Sequence, residues 1–91
     1  MRRRTEAFSN EEFERYLDDE AEAVRAMYIA RSVRDIWSRD DVLGAVLMLE
    51  ADSLQEAEQL VASLPLMRRG MLDCERLVPL RGYRGFGPLS A

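Results

Sequence analysis

The sequence has no histidine and no lysine, so all 13 basic side chains among its 91 residues are arginines. Without an imidazole, histidine-based acid–base catalysis and histidine metal ligation are excluded, and without an ε-amine no Schiff base forms. The single cysteine, Cys74, excludes an internal disulfide, and structural zinc sites need several Cys or His ligands. The remaining chemistry belongs mainly to carboxylates, hydroxyls and one thiol, and we predict no metal and no cofactor.

Long apolar segments are also missing. The most apolar stretch, Leu43–Leu49, is far shorter than the ~20 residues needed to cross a bilayer. The three arginines after Met1 are followed by polar and acidic residues, not by the apolar core of a signal peptide. These features predict a single cytoplasmic domain that makes no membrane contact. A core of this size is marginal, so we expect oligomerisation.

Charge is unevenly distributed along the chain, whose net charge is −4. Residues 1–64 hold eight arginines and fifteen acidic residues, whereas residues 65–91 hold five arginines and two acidic residues. The acidic balance argues against nucleic-acid binding. The C-terminal arginines fit a small anionic ligand, because a guanidinium group matches a carboxylate with two hydrogen bonds. Pairing with the acidic helices is an equally good interpretation.

Two N-terminal capping patterns predict helices. Ser9 with Glu12 has the form of a capping box, and the apolar residues that follow recur at helical spacing, which predicts a helix over residues 10–29. A second helix begins after Ser53 and ends before Pro65, because the residue before a proline disfavours helical geometry.

Between and after the helices the pattern favours strands. Residues 32–38 and 43–50 predict a hairpin, and residues 72–80 predict a last strand. Only the polar segment 1–8 remains for a first strand. The resulting α+β order is strand–helix–strand–strand–helix–strand, in a single domain over residues 1–80. Residues 81–91 are rich in Gly, Arg and aromatic side chains, and we interpret them as a tail or a dimer arm.

The second hairpin strand is apolar on both faces of the sheet. Two amphipathic helices cover one face, and nothing else in the chain remains for the other. We therefore expect a second copy to cover it, and a twofold homodimer is the commonest closed arrangement.

Several short motifs, over roughly residues 29 to 83, resemble those of the muconolactone isomerase family. They are Arg34, Ile36 with Trp37, Leu64-Pro65-Leu66, Asp73 with Glu75, and Arg81. The resemblance implies a ferredoxin-like βαββαβ fold of the dimeric α/β barrel superfamily. Such a fold has a four-stranded antiparallel sheet, here with a short or degenerate first strand. It also implies a homodimer, and often further assembly into a decamer.

The activity implied by the resemblance is the cofactor-independent movement of a carbon–carbon double bond in an unsaturated lactone that carries a carboxylate. The family has histidines at the positions of Asp35 and Gly82. Because this sequence lacks them, we expect a carboxylate to act as the base that transfers the proton. We predict Asp35 and Glu75 as catalytic residues, because burial raises carboxyl pKa values toward neutrality. Other interpretations are a hairpin carboxylate paired with Arg34 or Arg39 for Asp35, and either pairing with an arginine or an exposed edge strand for Glu75.

Four further residues are predicted to bind the substrate. Trp37 alternates with Asp35 along the strand and lines the cavity, or else belongs to the core. Arg34, Arg81 and Tyr83 orient a small anionic or lactone-like substrate. The last two stand in the tail, which is alternatively an arm packed on a neighbouring protomer.

Three functions are compatible with this pattern. The first is an isomerase or cyclase that transfers a proton on an unsaturated carbonyl, lactone or polyketide-like compound. The second is a cofactorless aromatic monooxygenase of the same superfamily. The third is a binding or assembly module without catalysis, because a fold does not fix a function.

Overall fold

The structure is a computed structural model that describes residues 1–87. Over this range the chain is an α+β fold with two small antiparallel sheets and three α-helices. The elements in chain order are β1 (Arg2–Arg3), α1 (Asn10–Ile29), β2 (Val33–Ser38), β3 (Ala45–Leu49), α2 (Leu54–Ala62), α3 (Pro65–Arg68) and β4 (Leu72–Asp73). A short 3₁₀ turn, Arg84–Phe86, lies in the tail. Among these described helices, none has the length and apolar character that a bilayer span requires.

The helix starts follow the predicted caps. At α1 the Ser9 hydroxyl accepts from the Glu12 amide at 3.2 Å, and the Glu12 carboxylate accepts from the Ser9 amide at 3.0 Å. This reciprocal capping box confirms the predicted helix over residues 10–29. At α2 the Ser53 hydroxyl accepts from the Glu56 amide at 3.1 Å, so the second predicted cap also forms.

Two helix ends share one geometry. The residue after the C-cap is left-handed in both α1 and α3: Arg31 has a φ of +68° and Gly70 a φ of +71°. In each case the next amide donates back into the last helical turn at 2.9 Å. Glycine adopts this conformation freely, whereas an arginine meets steric repulsion between its Cβ and the backbone. Arg31 is therefore a strained position, and the Gly70 turn is relaxed.

Strands β2 and β3 form the predicted hairpin, although β3 is shorter than residues 43–50. Val33 pairs with Leu49 at one end, and a bulge shifts the register before Asp35. The bulge places Asp35 opposite Met48, so the side chains of this pair lie on the same face of the sheet.

Strands β1 and β4 form a second antiparallel pair, and the prediction of one four-stranded sheet is wrong. Each strand has two residues, and a single bridge between Arg2 and Gly44 links this pair to the hairpin. β1 is short because the chain turns after Arg4 toward the α1 cap. The predicted last strand over residues 72–80 is also wrong beyond Asp73, because no described strand lies beside its backbone there.

The core lies where α1, α3 and the β1–β4 pair meet. Phe13 is fully buried, and it packs with Leu66, Met71 and Leu72. The apolar stripe of α1 is thus covered at its N-terminal end, whereas Tyr28 near its C-terminal end is exposed. This distribution leaves the helix-free side of the hairpin uncovered.

Candidate functional site

One side of the hairpin presents large apolar side chains to solvent. Asp35 lies opposite Met48 and Trp37 lies opposite Val46, and these four residues form what we call the open face. The exposed fractions are 48% for Trp37, 51% for Val46 and 42% for Met48. Strand β2 contacts α1, and on the opposite side of the hairpin Val33 is buried whereas Ile36 is 41% exposed. A grouped apolar patch of this kind is typical of an interaction or ligand surface.

An ion cluster borders the open face at Arg39, two residues after Trp37. The Arg39 guanidinium donates to both carboxylate oxygens of Asp41, at 2.9 and 2.6 Å, and also donates to Glu75. These contacts lower the pKa of Asp41 to about 2 and raise the pKa of Arg39. The cluster links the hairpin turn to the segment after β4.

A second ion cluster centres on Arg2 in β1. Its guanidinium lies 3.0 Å from the Glu6 carboxylate and 3.5 Å from that of Asp73, its partner across the β1–β4 pair. The hydrogen bond from Arg2 lowers the pKa of Glu6 to about 2. In both clusters the carboxylates are exposed and the arginine is partly buried, so we expect these ion pairs to fix local geometry more than to stabilise the fold.

The structure brings Asp35 and Trp37 onto one face, as their alternation predicts. Asp35 is exposed, and its Oδ1 accepts from the Ile36 amide at 2.8 Å. Glu75 reaches this neighbourhood through its contact with Arg39. The two predicted catalytic carboxylates therefore differ in their partners: Glu75 is held by the Arg39 cation, whereas Asp35 accepts from a backbone amide.

Arg34 lies away from this group. Its guanidinium donates to the Glu50 carboxylate at 2.9 Å. It borders an open groove of about 590 Å³, which is lined also by Tyr28 and Ile29 at the end of α1. Arg34 is the extra residue of the bulge, where the alternation of side chains is interrupted, and its ion-pair partner is Glu50.

The other two predicted substrate-binding residues lie in the tail after β4. Arg81 and Tyr83 are exposed, and the Tyr83 ring packs edge to face on Phe86 with 5.1 Å between centroids. Within residues 1–87 Arg81 makes no ion pair. The predicted tail or arm covers residues 81–91, of which residues 88–91 lie outside the described part of the chain.

Sequence reasoning missed three long-range contacts. One is the Arg39–Glu75 pair, for which the only signal was the cost of leaving a charged residue without a partner on a buried strand. Another is Glu20 of α1, whose carboxylate accepts from the Leu66 amide at the start of α3 at 3.1 Å. Burial raises the pKa of Glu20. The third is a stack of Arg69 on Tyr16, with 3.8 Å between the guanidinium carbon and the ring centroid.

Cys74 is a free, partly buried thiol, whose sulfur lies 3.6 Å from the Arg76 carbonyl oxygen. Within residues 1–87, acidic and cysteine side chains do not converge in threes to form a metal site. Comparison with known proteins adds no functional information: no family model matches the chain, and no curated protein or solved structure matches it.

Proposed function

We propose that this chain is a small, cofactor-independent isomerase or cyclase that works as a homodimer. The observation that carries the proposal is the open face, where a carboxylate, Asp35, lies within an exposed apolar patch. A second copy laid on this face removes its apolar side chains from water, which favours association. The same contact encloses Asp35 and lowers the local dielectric.

The order of the strand contacts supports a ferredoxin-like assignment. The β4–β1 pair, the bridge from Arg2 to Gly44 and the β3–β2 pair follow one another as β4-β1-β3-β2, with every neighbour antiparallel. We propose that this order reflects a ferredoxin-like chain path, in which the two strand pairs do not merge into one four-stranded sheet. In that fold the helices occupy one face, and the other face is free for a second copy.

Proton transfer at Asp35 then follows from its surroundings. Its Oδ2 has no hydrogen-bond donor within residues 1–87, so this oxygen is free to take a proton from a carbon acid. Returning the same proton to another carbon completes the isomerisation without an oxidant or a cofactor.

In this proposal the remaining predicted residues act on the substrate. Trp37 forms an apolar wall with one N–H donor beside the base. Glu75, held by Arg39, supplies a second carboxylate at the edge. Arg81 and Tyr83 are exposed in the tail, where they are free to close the cavity mouth over an anionic substrate.

The test is solvent-deuterium exchange into muconolactone, an unsaturated lactone that carries a carboxylate. We expect the wild-type protein to catalyse exchange and Asp35→Asn to abolish it. Asp40→Asn is the matched control, because Asp40 is an exposed aspartate of the adjacent turn. Exchange that is equal in the Asp35 and Asp40 variants would remove Asp35 from the mechanism.

A second candidate function is a binding or assembly module without catalysis. The observation that favours it is the ion pairing of Glu75, together with the solvent exposure of Asp35 in the single chain. A protein that dimerises through the open face but exchanges no deuterium into the lactone would support this function instead.

A further inference from the structure

The geometry points to a binding site for a small carboxylate with an apolar body, between the first half of α1 and the turn after α3. This site, which we call the arginine pocket, has a volume of about 170 Å³. Its lining consists of Phe8, Glu12, Arg15, Tyr16, Arg69 and Met71. It lies apart from the open face and does not depend on the function proposed there.

The Arg69 guanidinium group lies over an aromatic ring at the pocket. Its guanidinium carbon lies 3.8 Å from the centroid of the Tyr16 ring, so the flat group stacks on the ring. The following residue, Gly70, closes the end of α3, and its carbonyl oxygen accepts from Arg4 at 2.8 Å. Stacking occupies the face of the guanidinium group but leaves the N–H donors at its edge available.

In the described part of the chain neither arginine of the pocket forms an ion pair, although the charge of Arg15 acts on nearby Glu12. Within residues 1–87, no carboxylate lies within 4.0 Å of the Arg15 or Arg69 guanidinium nitrogens. The one acidic residue among the lining residues is Glu12, whose Oε1 accepts a hydrogen bond from the Ser9 amide at 3.0 Å. The hydrogen bonds with Ser9, together with the nearby charge of Arg15, lower the pKa of Glu12. The pocket therefore carries two positive charges and one negative charge on a protein whose net charge is −4.

The rest of the lining is apolar. Met71 is 2% exposed and belongs to the core, and the Phe8 ring packs edge to face on buried Phe13. An anion with an apolar body matches both parts of the lining, with its carboxylate on the guanidinium groups and its body against the partly exposed Phe8 ring. The volume suits a compact acid of the size of benzoate, and it is below the range of pockets for larger ligands.

The experiment is a titration of the full-length protein with benzoate, followed by backbone amide NMR shifts. We expect saturable shifts around Tyr16 and Met71, with a dissociation constant in the millimolar range. The neutral isostere benzamide is expected not to saturate the site. Arg69→Gln is expected to weaken benzoate at least about tenfold, because it removes a charge-assisted pair of hydrogen bonds.

Arg68→Gln is the matched control, because Arg68 precedes Arg69 but does not line the pocket. Arg15→Gln, on the exposed side of α1, tests the same site if Arg69→Gln fails to fold. Absence of saturation by benzoate would overturn the proposal, as would equal binding of benzamide or equal losses in the Arg68 and Arg69 variants. Inorganic phosphate that binds as tightly as benzoate would overturn the requirement for an apolar body.

Discussion

Replacing Gly44 by alanine tests the junction between the two strand pairs. A Cβ atom at Gly44 would overlap the carbonyl oxygen of Met1 and lie 3.1 Å from the Arg2 Cα. These are backbone atoms that cannot swing aside, so β1 must move away from β3. The displacement would separate the two sheets on which the proposed strand order depends.

The expected loss in the free energy of unfolding follows from the hydrogen bonds at this junction. Three backbone hydrogen bonds join the strands: Met1 N to Ala45 O at 2.8 Å, Ala45 N to Met1 O at 3.1 Å, and Arg3 N to Leu43 O at 2.8 Å. At about 1 kcal/mol net for each bond, their loss costs about 3 kcal/mol. Lower entropy of the unfolded alanine chain returns about 0.4–1 kcal/mol, so we expect a net loss of about 2 kcal/mol.

The assay is urea denaturation, with hydrogen exchange of the Ala45 amide as a local probe. Gly82→Ala is the matched control, because a Cβ at Gly82 meets no atom within 4 Å. We expect Gly44→Ala to lower the free energy of unfolding and to speed exchange at Ala45, whereas Gly82→Ala leaves both unchanged. Equal stability of the two variants, with normal protection of Ala45, would refute the junction.

Three further predictions concern single side chains. Burial raises the folded-state pKa of Glu20 above its usual 4.5. The stabilising contribution of this carboxyl group is therefore complete below pH 4.5 and is lost as pH rises through the raised pKa. Urea denaturation at pH 4 and pH 7 should show that Glu20→Gln removes this loss of stability. The pKa of Asp41 is lowered to about 2, so its contribution to stability is present above pH 3.8 and is lost as pH falls toward 2. In thermal melts, Arg39→Gln should reduce the fall in melting temperature at acid pH, and an unchanged fall would contradict the Arg39–Asp41 pairing. Because the backbone is left-handed at both positions, Arg31→Gly should stabilise the protein by about 1 kcal/mol and Gly70→Ala should destabilise it by about 1 kcal/mol. Differential scanning calorimetry measures both changes, and changes of the same sign would contradict this geometry.

The helices were predictable because their signals are local. The Ser9 and Ser53 caps use residues within one turn, and Pro65 acts on the residue before it. The extent of β1 and β4 was not predictable, because it depends on contacts between residues about 70 positions apart, such as Arg2 with Asp73. The segment after Asp73 has a strand-like pattern, but without a neighbouring strand its backbone cannot form the hydrogen bonds of a β-sheet.

The candidate site follows the same division. Alternation along β2 predicted that Asp35 and Trp37 share a face, because side-chain direction in a strand has a period of two. The pattern along a strand does not identify which charged residues form ion pairs. Glu75 contacts Arg39, and Arg34 contacts Glu50, only because the chain folds back on itself. The stack that fixes Arg69 on Tyr16 is equally non-local, although the C-terminal concentration of arginines indicated an anion site.

The central claim is that the open face binds a second copy, and its most direct test is the solution mass by sedimentation equilibrium. The wild-type chain is predicted to have twice the mass of one protomer. Trp37→Asp is predicted to reduce it to one, because the variant places a charge in the buried contact. Leu54→Asp is the control, because Leu54 is 49% exposed, like Trp37, but lies on α2 away from the open face. A monomeric wild-type protein, or a Trp37→Asp variant that remains dimeric, would contradict the account.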